Sequence, residues 1–154
     1  MTNQPVSISP EVLDSVARGE YHSPHSVLGG HPEDGTVTVR TVRHLADEVT
    51  VVTADAEYPA SHEHNGVWVA VLPGDTVPDY RLRIRYGDTT TVVDDPYRFL
   101  PFVGELDQHL FSEGRLEELW RTLGAHRKHL SGSMGDVDGV AFAVWAPNAR
   151  EMDL

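Results

Sequence analysis

Nine histidines and no cysteine in a chain of 154 residues raise the question of a metal site built on imidazole. His22 and His25 stand three apart, His31 follows six later, and His62-Glu63-His64 puts two imidazoles on one side of an extended segment. Zinc takes imidazole and carboxylate readily. Both clusters, however, lie among Gly, Pro and Asn residues without the spacing of a known site, so solvated loop histidines are expected and no metal or other cofactor. Paired carboxylates recur at Glu33-Asp34, Asp47-Glu48, Asp94-Asp95 and Glu117-Glu118. A glycosidase-type pair needs two acids about 5–10 Å apart across a cleft, one of them kept neutral by burial. Neighbours in sequence do not make such a pair, and Asp94-Asp95-Pro96 reads as a turn device at a strand end. No glycine-flanked nucleophile elbow and no phosphate-cradling loop is present.

Flat aromatic faces could stack on sugar rings, and Trp68, Tyr80, Tyr86, Tyr97, Trp120 and Trp145 are the candidates. Tyr80 and Tyr86 fall on the apolar side of an alternating run, and Trp120 falls on a helical stripe, which assigns all three to the core. Trp68 alternates with Val67 and Val69, and a strand apolar on both faces is usually buried. Trp68 and Tyr97 are the candidate carbohydrate contacts. No catalytic residue is assigned.

The elements that must position these residues follow from local pattern. Ser9-Pro10-Glu11 reads as an N-cap, an N1 proline and a first-turn acid; Val12, Leu13, Val16 and Ala17 then share one helical face until Gly19. From Gly35 to Val93 short β-rich runs alternate with turn signals. In the clearest of them Tyr80, Leu82, Ile84 and Tyr86 share one face and Arg81, Arg83 and Arg85 the other. Gly87-Asp88 is a hairpin turn joining this run to Thr89–Val93. Strand-length runs without intervening helices predict a mainly β fold, an immunoglobulin-like antiparallel β-sandwich with short flanking helices. After Pro101, Ser112 can cap a helix whose stripe is Leu116, Leu119, Trp120 and Leu123. A Gly/Ser/Asp-rich linker is expected at about 126–138, then a buried strand at 139–146 (GVAFAVWA).

Composition bounds the partners. Twelve Lys+Arg against 24 Asp+Glu give a net charge of −12, which repels nucleic-acid backbones and anionic membranes alike. No apolar run approaches the ~18 residues of a membrane helix, and Glu11, Asp14 and Arg18 do not suit a signal peptide, so a cytoplasmic location is expected. A (β/α)₈ barrel needs about 250 residues and is excluded from a chain of this size.

Four stretches together resemble the N-terminal region of bacterial 1,4-α-glucan (glycogen) branching enzymes: HSPHSVLGGHP at 22–32, DDPYRFLP at 94–101, GELDQHLFSEGRLEELWRTLGAH at 104–126 and GVAFAVWAPNA at 139–149. Pattern and resemblance together divide the chain into four segments. They are an N-terminal helix and lead-in at 1–21, a first β-sandwich at 22–103, a helical linker at 104–138, and at 139–154 the opening strand of a second, carbohydrate-binding-type sandwich. In that family retaining glucan transfer is performed by carboxylates on an α-amylase-type barrel. The resemblance therefore places all of them beyond Leu154 and implies that these 154 residues alone are not an enzyme. It further implies that the chain docks on the remainder of the branching enzyme and influences which glucan chains are selected. A self-sufficient weak glucan-binding module and an acidic, His-rich metal-binding domain stand as alternatives. The apolar run also leads us to expect packing on the first domain or self-association through 139–150.

Overall fold

In the computed structural model, residues 4–115, 117–150 and 152 are described. They fall into two compact units, Met1–Leu100 and Pro101–Leu154.

The first unit opens with α1, Pro10–Ala17, where the Ser9 Oγ accepts from the Val12 N–H (3.4 Å) and Gly19, at φ 71°, lets the chain leave the last turn. Eight strands follow: β1 (Gly29–Glu33), β2 (Thr36–Val42), β3 (Glu48–Thr53), β4 (Glu57–Pro59), β5 (Ser61–His64), β6 (Val67–Pro73), β7 (Tyr80–Tyr86) and β8 (Thr89–Val93). They form four antiparallel hairpins dealt alternately to two sheets, ordered β1-β2-β6-β5 and β4-β3-β7-β8. The fold is thus mainly β, an immunoglobulin-like antiparallel β-sandwich with short flanking helices, as the alternation predicts. Two of the hairpin turns, Asp34-Gly35 and Asn65-Gly66, have positive φ at both residues, the conformation that matches strand twist.

Val37, Val39, Trp68, Ala70 and Leu72 from one sheet meet Val49, Val51, Tyr80, Leu82 and Ile84 from the other, which is the core of the sandwich. The outer face of the first sheet is also covered. Leu13, Val16 and Ala17 of α1 pack with Val27, Leu28 and Val67 in a second cluster. Beside it the fully buried Arg40 donates from Nε and Nη2 to the two Glu63 carboxylate oxygens (2.7 and 2.8 Å), and from Nη2 to the Val6 carbonyl (2.6 Å). Burying a guanidinium is tolerable only when charge and donors are matched in this way.

Three strands go beyond the runs expected from sequence: β1, β4 and β5, all at sheet edges. An edge strand pairs on one side only, so Gly29, Gly30 and Pro32 in β1 are accommodated there. Tyr86, expected inside, is 37% exposed at the end of β7.

The second unit departs further from expectation. Ser112 ends a helix instead of starting one: α2 runs Glu105–Ser112, the Ser112 Oγ donates back to the His109 carbonyl (2.7 Å), and Gly114 at φ 68° turns the chain away. A single turn, α3 (Leu119–Thr122), follows, and Trp120 is 67% exposed instead of buried on a stripe. Leu116, expected on the same stripe, lies outside the described residues. In place of a linker, β9 (Gly124–Leu130) pairs antiparallel with β10 (Val137–Ala143), from Val137 opposite Leu130 to Ala143 opposite Gly124. Four polar residues in succession, His126, Arg127, Lys128 and His129, hide the strand character of β9. Val140, Phe142, Val144 and Trp145, expected buried, are 49–62% exposed.

Candidate functional site

Two of the sequence stretches converge on one edge of the sandwich, where residues 22–33 meet residues 94–99. β8 ends at Val93, and its register with β7 (Leu82 opposite Val93) carries on to bring Asp95 against Tyr80. The Tyr80 hydroxyl donates to Asp95 Oδ2 (2.6 Å) and the Tyr97 N–H to Oδ1 (3.3 Å), so Asp95 caps the turn at Pro96–Arg98. Both side chains are fully buried. Burial pushes the Asp95 carboxyl up from its ordinary value, against the hydrogen bonds and the charges of Arg43 and Arg98. Burial and the neighbouring carboxylate together push the Tyr80 hydroxyl up as well. Next to this pair, Asp94 and Asp79 are laced to Arg81 and Arg98 at 2.6–3.0 Å.

From the other side His25 Nε2 donates to the Phe99 carbonyl (3.1 Å), and its ring meets Tyr97 edge-on at 4.9 Å between centroids. Gly29, at φ 85°, runs so close that a Cβ there would stand 2.3 Å from the Tyr97 carbonyl oxygen. Gly30 leaves no more room, with Val77 Cγ1 at 2.5 Å from its would-be Cβ. Gly29 therefore lets β1 lie against the Asp95–Tyr97 turn and Gly30 lets it pass Val77, and the two stretches belong together because they touch.

Beneath this junction is a hollow of about 300 Å³ at the C-terminal end of α1. Val16, Ala17 and Leu28 line it with apolar side chains, and Tyr21, Arg43 and Tyr97 line it as well. Tyr97 thus lines a concave surface. Trp68 lies elsewhere: it is 9% exposed within the inter-sheet core, its Nε1 donates to the Arg43 carbonyl (3.1 Å) and its ring meets His62 edge-on. Sequence pattern does not single out Tyr21 or Arg43, because only the packing of α1 and the β2–β3 turn onto residues 94–99 brings them together.

The histidines serve local structure. His31 Nε2 donates to the Leu28 carbonyl (3.2 Å), and His62 Nε2 accepts from the Gly66 N–H (3.0 Å). His64 and Asn65 bond to Asp14, whose carboxyl is held below its ordinary value by those contacts and by Arg18. Among the described residues no group of three or more His, Asp or Glu is placed to hold a metal ion. Several of the paired carboxylates are engaged: Glu48 and Asp47 with Arg85, and Glu118 with Arg121, while Asp34 sits in a turn at φ 48°. Among the described residues no helix is long and apolar enough to cross a membrane.

The first unit is thus an antiparallel β-sandwich with several of its acids paired to arginines and one concave edge lined in part by Tyr21 and Tyr97. Residues 9–97 match the family model for the N-terminal domain of the α-1,4-glucan branching enzyme GlgB, and the chain belongs to that family. Over 140 residues it is 53% identical to a 1,4-α-glucan branching enzyme of Thermobifida fusca, covering 90% of this chain and 19% of the relative. Branching enzymes of Rhodococcus jostii and Frankia casuarinae are 49% and 45% identical, each over 97% of this chain. The chain spans about a fifth of the length of these relatives.

Proposed function

We propose that this chain is the non-catalytic N-terminal module of a cytoplasmic 1,4-α-glucan branching enzyme in glycogen biosynthesis. It docks on the remainder of the enzyme, the second sandwich and the barrel, and influences which glucan chains reach the catalytic carboxylates. By itself it neither branches nor hydrolyses glucan. The observation that carries this reading is the asymmetry of the match, which takes in nearly all of this chain and about a fifth of each relative. The ion pairs of Asp47, Glu48, Asp94 and Glu118 and the buried hydrogen bonds of Asp95 support a role other than bond cleavage. The exposed apolar side chains of β10 and of Val144 and Trp145 support a docking role, since apolar patches of this kind usually meet a partner surface.

The test is deletion. The segment aligned with Met1–Leu100 is removed from a full-length relative, and the branched product is debranched and its chain lengths are resolved by chromatography. The expected result is retained branching of amylose with an altered chain-length distribution. An unchanged distribution, or total loss of activity in a folded enzyme, overturns the proposal.

A further inference from the structure

We propose that the hollow at the C-terminal end of α1 receives the end of an α-glucan, with the Arg43 guanidinium hydrogen-bonding sugar hydroxyls between the Tyr21 and Tyr97 side chains; this rests on reading the chain as part of a glucan-handling enzyme. Arg43 stands apart in the first unit. Arg18, Arg40, Arg81, Arg83, Arg85 and Arg98 each contact a carboxylate, whereas among the described residues Arg43 makes no ion pair. Among the described residues its guanidinium donates only from Nη1, to the Val42 carbonyl (2.9 Å), and Arg43 lines the hollow. Its charge reaches the buried Asp95 and Tyr80 without an ion pair to either.

A planar fork of donors beside aromatic rings and apolar walls suits a polyol, whose hydroxyls need donors and acceptors while its ring faces are apolar. The Tyr21 and Tyr97 hydroxyls supply both functions, and among the described residues neither bonds to a protein group. The small volume, at the low end of ligand pockets of about 300–1,000 Å³, fits a chain end and not a long stretch of glucan. An anion is the poorer fit. Arg18, the other cation at the rim, is already paired with Asp14 and Glu20, and a net charge of −12 repels anions from the whole surface.

The experiment is a titration of the full 154-residue chain with maltoheptaose, read from amide chemical shifts by nuclear magnetic resonance, with inorganic phosphate in a parallel series. Saturable shifts at residues 18–28, 42–44 and 97 are expected, with a dissociation constant on the order of millimolar, because few contacts must offset the cost of association. Arg43→Gln and Tyr21→Ala should each weaken binding about tenfold, the loss expected for one strong polar contact, while the shifts of Leu82 and Ile84 stay in place and report an intact core. Saturable shifts elsewhere, no saturable shift, variants that bind like the parent, or shifts at these amides with phosphate and not with maltoheptaose would each overturn the site. An enzyme whose chain lengths change on deletion of the module, in a titration that leaves the hollow silent, would retain the docking role and lose this site.

Discussion

Asp95 and Tyr80 show how one buried hydrogen bond can organise a segment. Asp95 has no exposed surface, accepts from Tyr80 and from the Tyr97 N–H, and so fixes the turn that brings Tyr97 to the hollow and against Gly29. Its carboxyl titrates above the unfolded value because burial outweighs the hydrogen bonds and the Arg43 and Arg98 charges. A carboxyl with a raised folded-state pKa binds its proton more tightly when folded. This contribution to stability is therefore largest at low pH and is lost as pH rises from the unfolded value, 3.8, through the folded one. Asp95→Asn removes that titration. Thermal denaturation of the parent and of Asp95→Asn at several pH values from neutral to about 4 should show the parent gaining on the variant as pH falls. The opposite trend would mean that the arginines win over burial. An aspartate before a proline is legible as a turn residue, and the two-residue turn at Gly87-Asp88 fixes the register that sets Tyr80 against Asp95. What the sequence does not reveal is that this end of the hairpin is buried, since that depends on residues 22–33 folding over it.

At the scale of elements, legibility follows burial symmetry. Strands inside a sheet, β2, β3, β6 and β7, carry β-branched or alternating apolar residues because both edges and at least one face are occupied, and all four are read directly from pattern. The edge strands β1, β4 and β5 carry Gly, Pro, His and Glu, which one-sided pairing permits and which resemble loop composition. The hairpin β9–β10 follows the same rule: β10 reads as a strand from its apolar residues, but its partner β9 is polar. With β10 paired only to β9 among the described residues, its other edge and the side chains of Val140 and Phe142 are open to another chain. At physiological salt the acidic surface is screened beyond about 8 Å and does not prevent edge contact. Light scattering should therefore report concentration-dependent self-association, relieved by Phe142→Ser. A monomer at all concentrations, or a variant that associates like the parent, would show that this edge does not drive association.

At the scale of the whole molecule, 154 residues hold two compact units, a net charge of −12 and about a fifth of the length of the branching enzymes to which the chain is related. Fold class is open to pattern alone, whereas the family is legible only through the four stretches that mark it, because neither the acid pairs nor the histidines fall at a spacing that points to a catalytic centre. The concave edge with Arg43, Tyr21 and Tyr97 was beyond sequence reasoning, since three segments far apart in the chain must pack before it exists. The proposal that the module acts through the enzyme it belongs to is tested most directly by exchange. This chain is fused in place of the aligned residues of a full-length relative, and the debranched product is compared with that of the intact and the deleted enzyme. Restoration of the intact enzyme's chain-length distribution is expected; a product indistinguishable from that of the deleted enzyme, made by a folded fusion, would contradict it.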